Sequence, residues 1–265
     1  MAEQQSKVPP RKEAAAARNR PGGPARNRPT KRGKRGFPRK YLYGGAALII
    51  IAVIVVAIVA STGGSSKSVD HHSAAINYSL PNGTKVYGAL GPENVPIEVG
   101  PQLASPNAGL TGATIDGIQC GSTEQVAYHH HVHVALFVDG KPYSVPLGVG
   151  FVPPAQVTQS SQGPFAEASP TCLYWLHVHA QDGIVHIESP EARTFELGQV
   201  MDIWHVTLSP TQLGTYTGKV TATVNGVPWS GDPRQIPLDE HAQIVINVGG
   251  PVVNPPAISW SGTGL

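Results

Sequence analysis

The 265-residue chain contains no G-x-S-x-G, only one methionine beyond the initiator and only two cysteines. The missing Ser motif removes the hydrolases built on a nucleophile elbow. The shortage of methionine and cysteine weighs against a blue-copper centre, which needs a free thiolate and a weak axial Met close together. Cys172 does precede His177, but the sole candidate Met is Met201, and Cys120 would be left over. Acidic residues are nearly missing from residues 1–40, where only Glu3 and Glu13 stand against thirteen Lys and Arg. Charge of either sign is missing altogether from Tyr41 to Ala60. No internal repeat is evident, and no stretch outside that apolar run carries a long 3.6-residue apolar pattern.

These gaps divide the chain. Residues 1–40 carry a net eleven positive charges and the remainder a net nine negative, which restores the overall +2. The basic segment is rich in Arg, Pro, Gly and Ala without apolar periodicity, the composition of a disordered tail. No aromatic residue interleaves it before Phe37, so nucleic acid is the weaker partner and anionic lipid headgroups the stronger. Residues 41–60, "YLYGGAALIIIAVIVVAIVA", are long enough to cross a hydrocarbon core about 30 Å thick as a helix. The basic excess on their N-terminal side predicts a single-pass protein of the cell membrane, its tail cytoplasmic and its C-terminal part extracytoplasmic. A cleaved signal peptide is the competing reading. The long n-region, the length of the apolar run and the lack of a clean A-x-A site oppose it. Residues 61–75 read as a flexible linker in which His71 and His72 are solvated. Residues 76–250 are enough for one domain with its own core, and residues 251–265 are left as a C-terminal tail.

Both cysteines fall on the extracytoplasmic side of this topology, where a pair most often bonds. A Cys120–Cys172 bridge across 52 positions is worth about 4 kcal/mol on the chain-entropy account. The domain itself reads as short β-type runs punctuated by turn dipeptides: Asp139-Gly140, Asp182-Gly183 and Asn225-Gly226. Such dipeptides between β-rich runs are strong hairpin signals. An antiparallel sandwich or barrel follows. "SPTQLG" at 209–214 is the one candidate for a short helical turn.

Histidine is the conspicuous excess. Nine of the eleven lie in the β domain, and seven of those nine fall in two short hairpins. Side chains alternate along a strand, so in "YHHHVHVALFV" His129, His131, His133, Ala135 and Phe137 share one face. Tyr128, His130, Val132, Val134, Leu136 and Val138 share the other, which is apolar and should meet the core. His130 is on that basis hydrogen-bonded or exposed rather than a ligand. In the second hairpin a two-residue Asp182-Gly183 loop sets His179 opposite His186 and His177 opposite Glu188. A four-residue loop shifts the pairing by two and preserves the shared face. A three-residue loop with a bulge would spoil it. His177, His179, His186 and Glu188, joined by His131, His133 and, least securely, His129, are therefore the candidate ligands of a divalent transition metal, zinc or copper. A polar sheet face that merely hydrogen-bonds its histidines is the bland alternative.

"YHHHVHVALFVDG", "CLYWLHVHAQDGIVHIESP" and "TFELGQVMDIW" together resemble a family of bacterial extracytoplasmic proteins with Y-H-x-H-x-H, C-x-x-x-L-H-x-H, G-x-I-H-I-E and F-x-L-G motifs. The matching positions are Tyr128, His129, His131, His133, Cys172, Leu176, His177, His179, Gly183, His186, Glu188, Phe195, Leu197, Gly198 and Trp204, within residues 115–210. The resemblance implies that these polar positions form one set; it supplies no activity. A cupin would place a Glu three or four residues after His-x-His, and none follows His133 or His179. The logic of an α-type carbonic anhydrase is similar, but the surrounding sequence is not. Three classes stand: a membrane-tethered metal-binding module, a metalloenzyme with an open coordination position, and a structural or adhesion domain without metal.

Overall fold

Strand alternation in Tyr128–Val138 organises everything around it. The computed structural model describes residues 75–265. The expected tail, membrane span and all but the last residue of the linker lie outside the described residues. Among the described residues no helix is long and apolar enough to cross a membrane.

In chain order the strands are β1 (Tyr87–Leu90), β2 (Pro96–Glu98), β3 (Cys120–Gly121), β4 (Tyr128–Val138), β5 (Lys141–Tyr143), β6 (Gln156–Ser160), β7 (Gly163–Ala168), β8 (Leu173–Tyr174), β9 (Leu176–His177) and β10 (Ile184–Ser189). Helix α1 (Leu197–Ile203) follows, then β11 (Leu208–Ser209), β12 (Gln212–Leu213), β13 (Tyr216–Thr217), β14 (Val220–Val224), β15 (Val227–Trp229) and β16 (Gln243–Val248). The principal sheet runs β15-β14-β16-β4-β10-β9, with β5 also on β4. The fold is thus mainly β, as the sequence indicated. This sheet is open, so the barrel alternative is not realised. Nor is it wholly antiparallel: β16 lies parallel to β4, from Gln243 beside His133 to Val248 beside Val138. A parallel neighbour needs a long crossover, and the chain between β4 and β16 supplies one.

Two of the three turn dipeptides do what their chemistry demands. Val138 pairs with Lys141 and Val224 with Val227, leaving two-residue loops. All four loop residues, Asp139, Gly140, Asn225 and Gly226, have positive φ, the signature of the type I′ turn. The third differs. His186 pairs with His177 and Ile187 with Leu176, so the pairing moves by two, but the ladder ends at His177 and the chain from 178 to 183 leaves it before β10 begins. Asp182 earns its place there by accepting a hydrogen bond from the Ile184 N–H. "SPTQLG" is not helical but the β11–β12 hairpin. The helix lies just upstream, where Leu197, Val200, Met201 and Trp204 recur at i, i+3, i+4 and i+7 and are all buried.

The apolar face of β4 meets the main core as expected. Val132, Val134, Leu136 and Val138 pack with Val185 and Ile187 of β10, Ile244 and Ile246 of β16, and α1 with Trp204. Cys120 and Cys172 are disulfide-bonded, with Cα atoms 5.5 Å apart, tying β3 to the chain entering β8. On the opposite face a smaller core gathers Ala135, Phe137, Ile184 and Val245 under Val86, Tyr87, Val95, Val253 and Ile258. Residues 251–265, set apart in the sequence as a tail, therefore pack onto the sheet. Asn247 receives the Val253 N–H and donates to the Val253 carbonyl.

Candidate metal centre

The site grows from three neighbouring strands. β10 pairs antiparallel with β4, placing Glu188 beside His129, His186 beside His131 and Ile184 beside His133. β9 adds His177 on the far side of His186. One residue from each strand at matching pleat positions puts all of these on one face. His179 has left the ladder, but its ring turns back to His177, with ring centroids 4.7 Å apart.

Four groups converge. Ligand atoms from His177, His179, His186 and Glu188 all lie within 4.8 Å of one another, and all four residues are buried. Nε2 of His177 is 3.0 Å from Nε2 of His179 and 3.8 Å from Oε1 of Glu188. Nδ1 of His186 is 3.6 Å from the same oxygen. A second set, overlapping the first at His186, adds His129 and His131. His129 Nε2 stands 3.2 Å from Glu188 Oε1.

The environment orients each ring. His177 Nδ1 donates to the Tyr174 carbonyl at 2.8 Å, and His179 Nδ1 donates to the Ala166 carbonyl on β7. The Ala166 N–H donates in return to the His179 carbonyl at 2.9 Å. Phe165 stacks on the His179 ring, and Phe151 packs edge-on against both His177 and His179. His186 Nε2 lies 2.8 Å from Glu93 Oε1. Gly150, with φ of +82°, is required behind His177: a Cβ there would sit 2.5 Å from the Leu176 carbonyl oxygen and 2.8 Å from His177 Cβ.

A carbonyl oxygen only accepts, so Nδ1 of His177 and of His179 must carry the proton. Both Nε2 atoms are then bare lone pairs, and they face each other at hydrogen-bond distance with no hydrogen between them. Burial lowers both rings' pKa, that of His179 to about 4, so neither readily supplies the missing proton. Burial also presses His131 down to about 3, with the neighbouring His186 and His129 adding to it. For His186, burial opposes the charge, yet the neighbouring carboxylates of Glu188 and Glu93 overcome it and raise the ring to about 9. Glu93 feels burial pushing upward, but the His186 contact prevails and lowers it. At neutral pH the pocket thus holds one imidazolium among carboxylates and several neutral rings offering lone pairs.

Not every residue singled out in the sequence joins the cluster. His133 belongs to neither set. Two residues on from His131 is about 7 Å along the strand, and there the ring sits under Tyr87, with Nε2 3.7 Å from Glu98 Oε1. His177 faces His186 rather than Glu188 for the hairpin reason given above. His130 points to the other face, stacks on Tyr128 and comes within 3.3 Å of Glu240. Four contributors carry no signal in the sequence: Glu93 from the β1–β2 connection, Phe165 and Ala166 of β7, and Glu124, whose Oε1 is 3.8 Å from His179 Nε2. Glu93 and Glu124 sit in loops with no period, and the Ala166 contribution is a carbonyl that no side-chain pattern encodes.

No protein-family model matches the chain, and neither the curated proteins nor the solved structures contain a match. The buried His and Glu groups could hold a metal ion on their geometry alone.

Proposed function

We propose that this is a membrane-anchored, extracytoplasmic metal-binding protein that holds one divalent transition-metal ion, zinc or copper, on His177, His179, His186 and Glu188. The observation that carries the reading is the pair of facing Nε2 atoms, 3.0 Å apart, each forced bare by a carbonyl on the other side of its ring. Two nitrogens bound to one tetrahedral zinc at about 2.0–2.1 Å are separated by about 3.3 Å. A cation between them therefore fits with little movement and turns a repulsion into two bonds. Glu188 offers charge from the next strand, and His186, on giving up the proton it holds at neutral pH, presents Nδ1 while Glu93 holds its other nitrogen, the arrangement that commonly supports a metal-bound imidazole. All four donors are buried, with His179 at 3% and His186 at 5% exposure. That supports holding an ion over acting on an external substrate. The anchor rests on the uncharged run at 41–60 and the basic residues before it.

The test is metal content by mass spectrometry on the full-length protein after exposure to zinc or copper and removal of loose ions. One ion per chain is expected. His177→Ala with His179→Ala should abolish it, while His205→Ala, at an exposed histidine outside the cluster, should not. No ion in the wild type, or an undiminished ion in the double variant, defeats the reading.

A further inference from the structure

A buried centre needs a route for its ion, and the second histidine set has the properties of one. Exposure falls steadily along it. The His129 side chain is 38% exposed and that of His186 6%, while those of His177 and Glu188 are 1% and 3%. His131 lies between, buried, with neither ring nitrogen partnered among the described residues. Leaving two such buried atoms without a protein partner is costly, and a transient cation would satisfy one. Glu124, whose side chain is 43% exposed, flanks the same region and stands 3.8 Å from His179, a carboxylate placed to draw a cation in.

The two sets cannot both be filled. His186 belongs to each, but its Nε2 is engaged by Glu93 at 2.8 Å, leaving Nδ1 as the one nitrogen to share. Glu188 is the hinge between the sets: its Oε1 is 3.2 Å from His129 and 3.8 Å from His177. An ion could therefore move inward by exchanging His129 and His131 for His177 and His179 while keeping His186 and Glu188 throughout.

From this we infer that His129, His131 and His186 form an outer position through which a single divalent transition-metal ion loads into the inner set. The inference rests on the metal-binding reading above. It is tested by mixing metal-free full-length protein with cobalt(II) in a stopped-flow spectrometer, following the visible absorption of the bound ion, and then stripping the ion with a chelator. His129→Asn and His131→Asn should each slow loading and stripping by about tenfold, the effect of one lost stepping contact on a barrier. The final stoichiometry should stay at one and Kd should stay unchanged, because a waypoint alters both rates equally. His129→Asn is exposed enough to leave folding intact even where His131→Asn does not. Unchanged rates overturn the outer position. So does a wild type that binds two ions and variants that bind one, which would make this a two-metal centre. So does a weakened Kd in His129→Asn, which would make His129 a permanent ligand. A wild type that takes up no cobalt fails the parent reading as well, and is told apart by its blank final spectrum.

Discussion

One face of β4 carries two regions built to the same alternation and completed differently. At its N-terminal half stand His129 and His131, and at its C-terminal half Ala135 and Phe137. Burial sets only His129 apart, since His131 is 5% exposed and Phe137 1%. The difference is completeness. Ala135 and Phe137 are covered by Tyr87, Val95, Val253 and Ile258, and an apolar surface so covered needs nothing more. The histidine half is covered too, yet His131 Nδ1 and Nε2, His186 Nδ1 and Glu188 Oε2 are buried without hydrogen-bond partners among the described residues. Native structures rarely leave such atoms together. A covered region that leaves several buried polar atoms unpaired is a candidate ligand site, whereas a covered apolar region is simply core.

That contrast can be broken most forcefully from the apolar side. Phe137→Ala should cost about 3–5 kcal/mol of unfolding free energy in a denaturant titration, yet leave one ion per chain. His177→Ala should do the reverse, losing the ion with a much smaller change in the stability of the metal-free protein. If both variants lose stability and metal in parallel, the two halves are one unit and the contrast fails.

A smaller effect separates ligands from their supports. Glu93→Gln keeps the shape but weakens the hold on His186 Nε2, and should reduce metal affinity about 10- to 100-fold, read by competition with a chromogenic chelator. An unchanged affinity would show that His186 is oriented by something else. Phe165→Ala, which removes the stack on His179, should cost about 0.5–1.5 kcal/mol beyond the area lost. The loss should show in metal affinity more than in the unfolding of the metal-free protein, because the ring orients a ligand at an edge.

The smallest effect concerns the boundary between the halves. Burial raises Glu98 to about 8, with the Val145 N–H pulling the other way. The folded protein keeps a proton that the unfolded chain releases near the ordinary carboxyl value. Stability contributed by that proton is therefore present at low pH and lost as pH rises toward about 8. Burial lowers His133 to about 4, and its opposing slope is spent by about pH 6.5. Between pH 6.5 and 8 the metal-free wild type should lose stability relative to Glu98→Gln. His186, held up at about 9, slopes in the same sense in both proteins, so the difference reports Glu98. Parallel stability curves over that window would place Glu98 in its ionised form.

Periodicity made much of this legible. Alternation in "YHHHVHVALFV" and "IVHIES" settled which face each histidine would occupy, and the turn chemistry of Asp139-Gly140 and Asn225-Gly226 settled two hairpins, because both are local properties of the backbone. The helix at Leu197–Ile203 was equally local and was written in its i, i+3, i+4 spacing, though too short to stand out. The Asp182-Gly183 hairpin was not legible in full, since its loop length was set by Asp182 bonding Ile184 and by β7 drawing His179 out of the ladder. Pairing of β10 with β4, the parallel seat of β16, the reach of Glu93 from the β1–β2 connection and the carbonyl of Ala166 under His179 were decided only by tertiary structure. Each depends on which segments become neighbours across tens of residues, and a pattern of period two determines a side chain's face but not what stands opposite it.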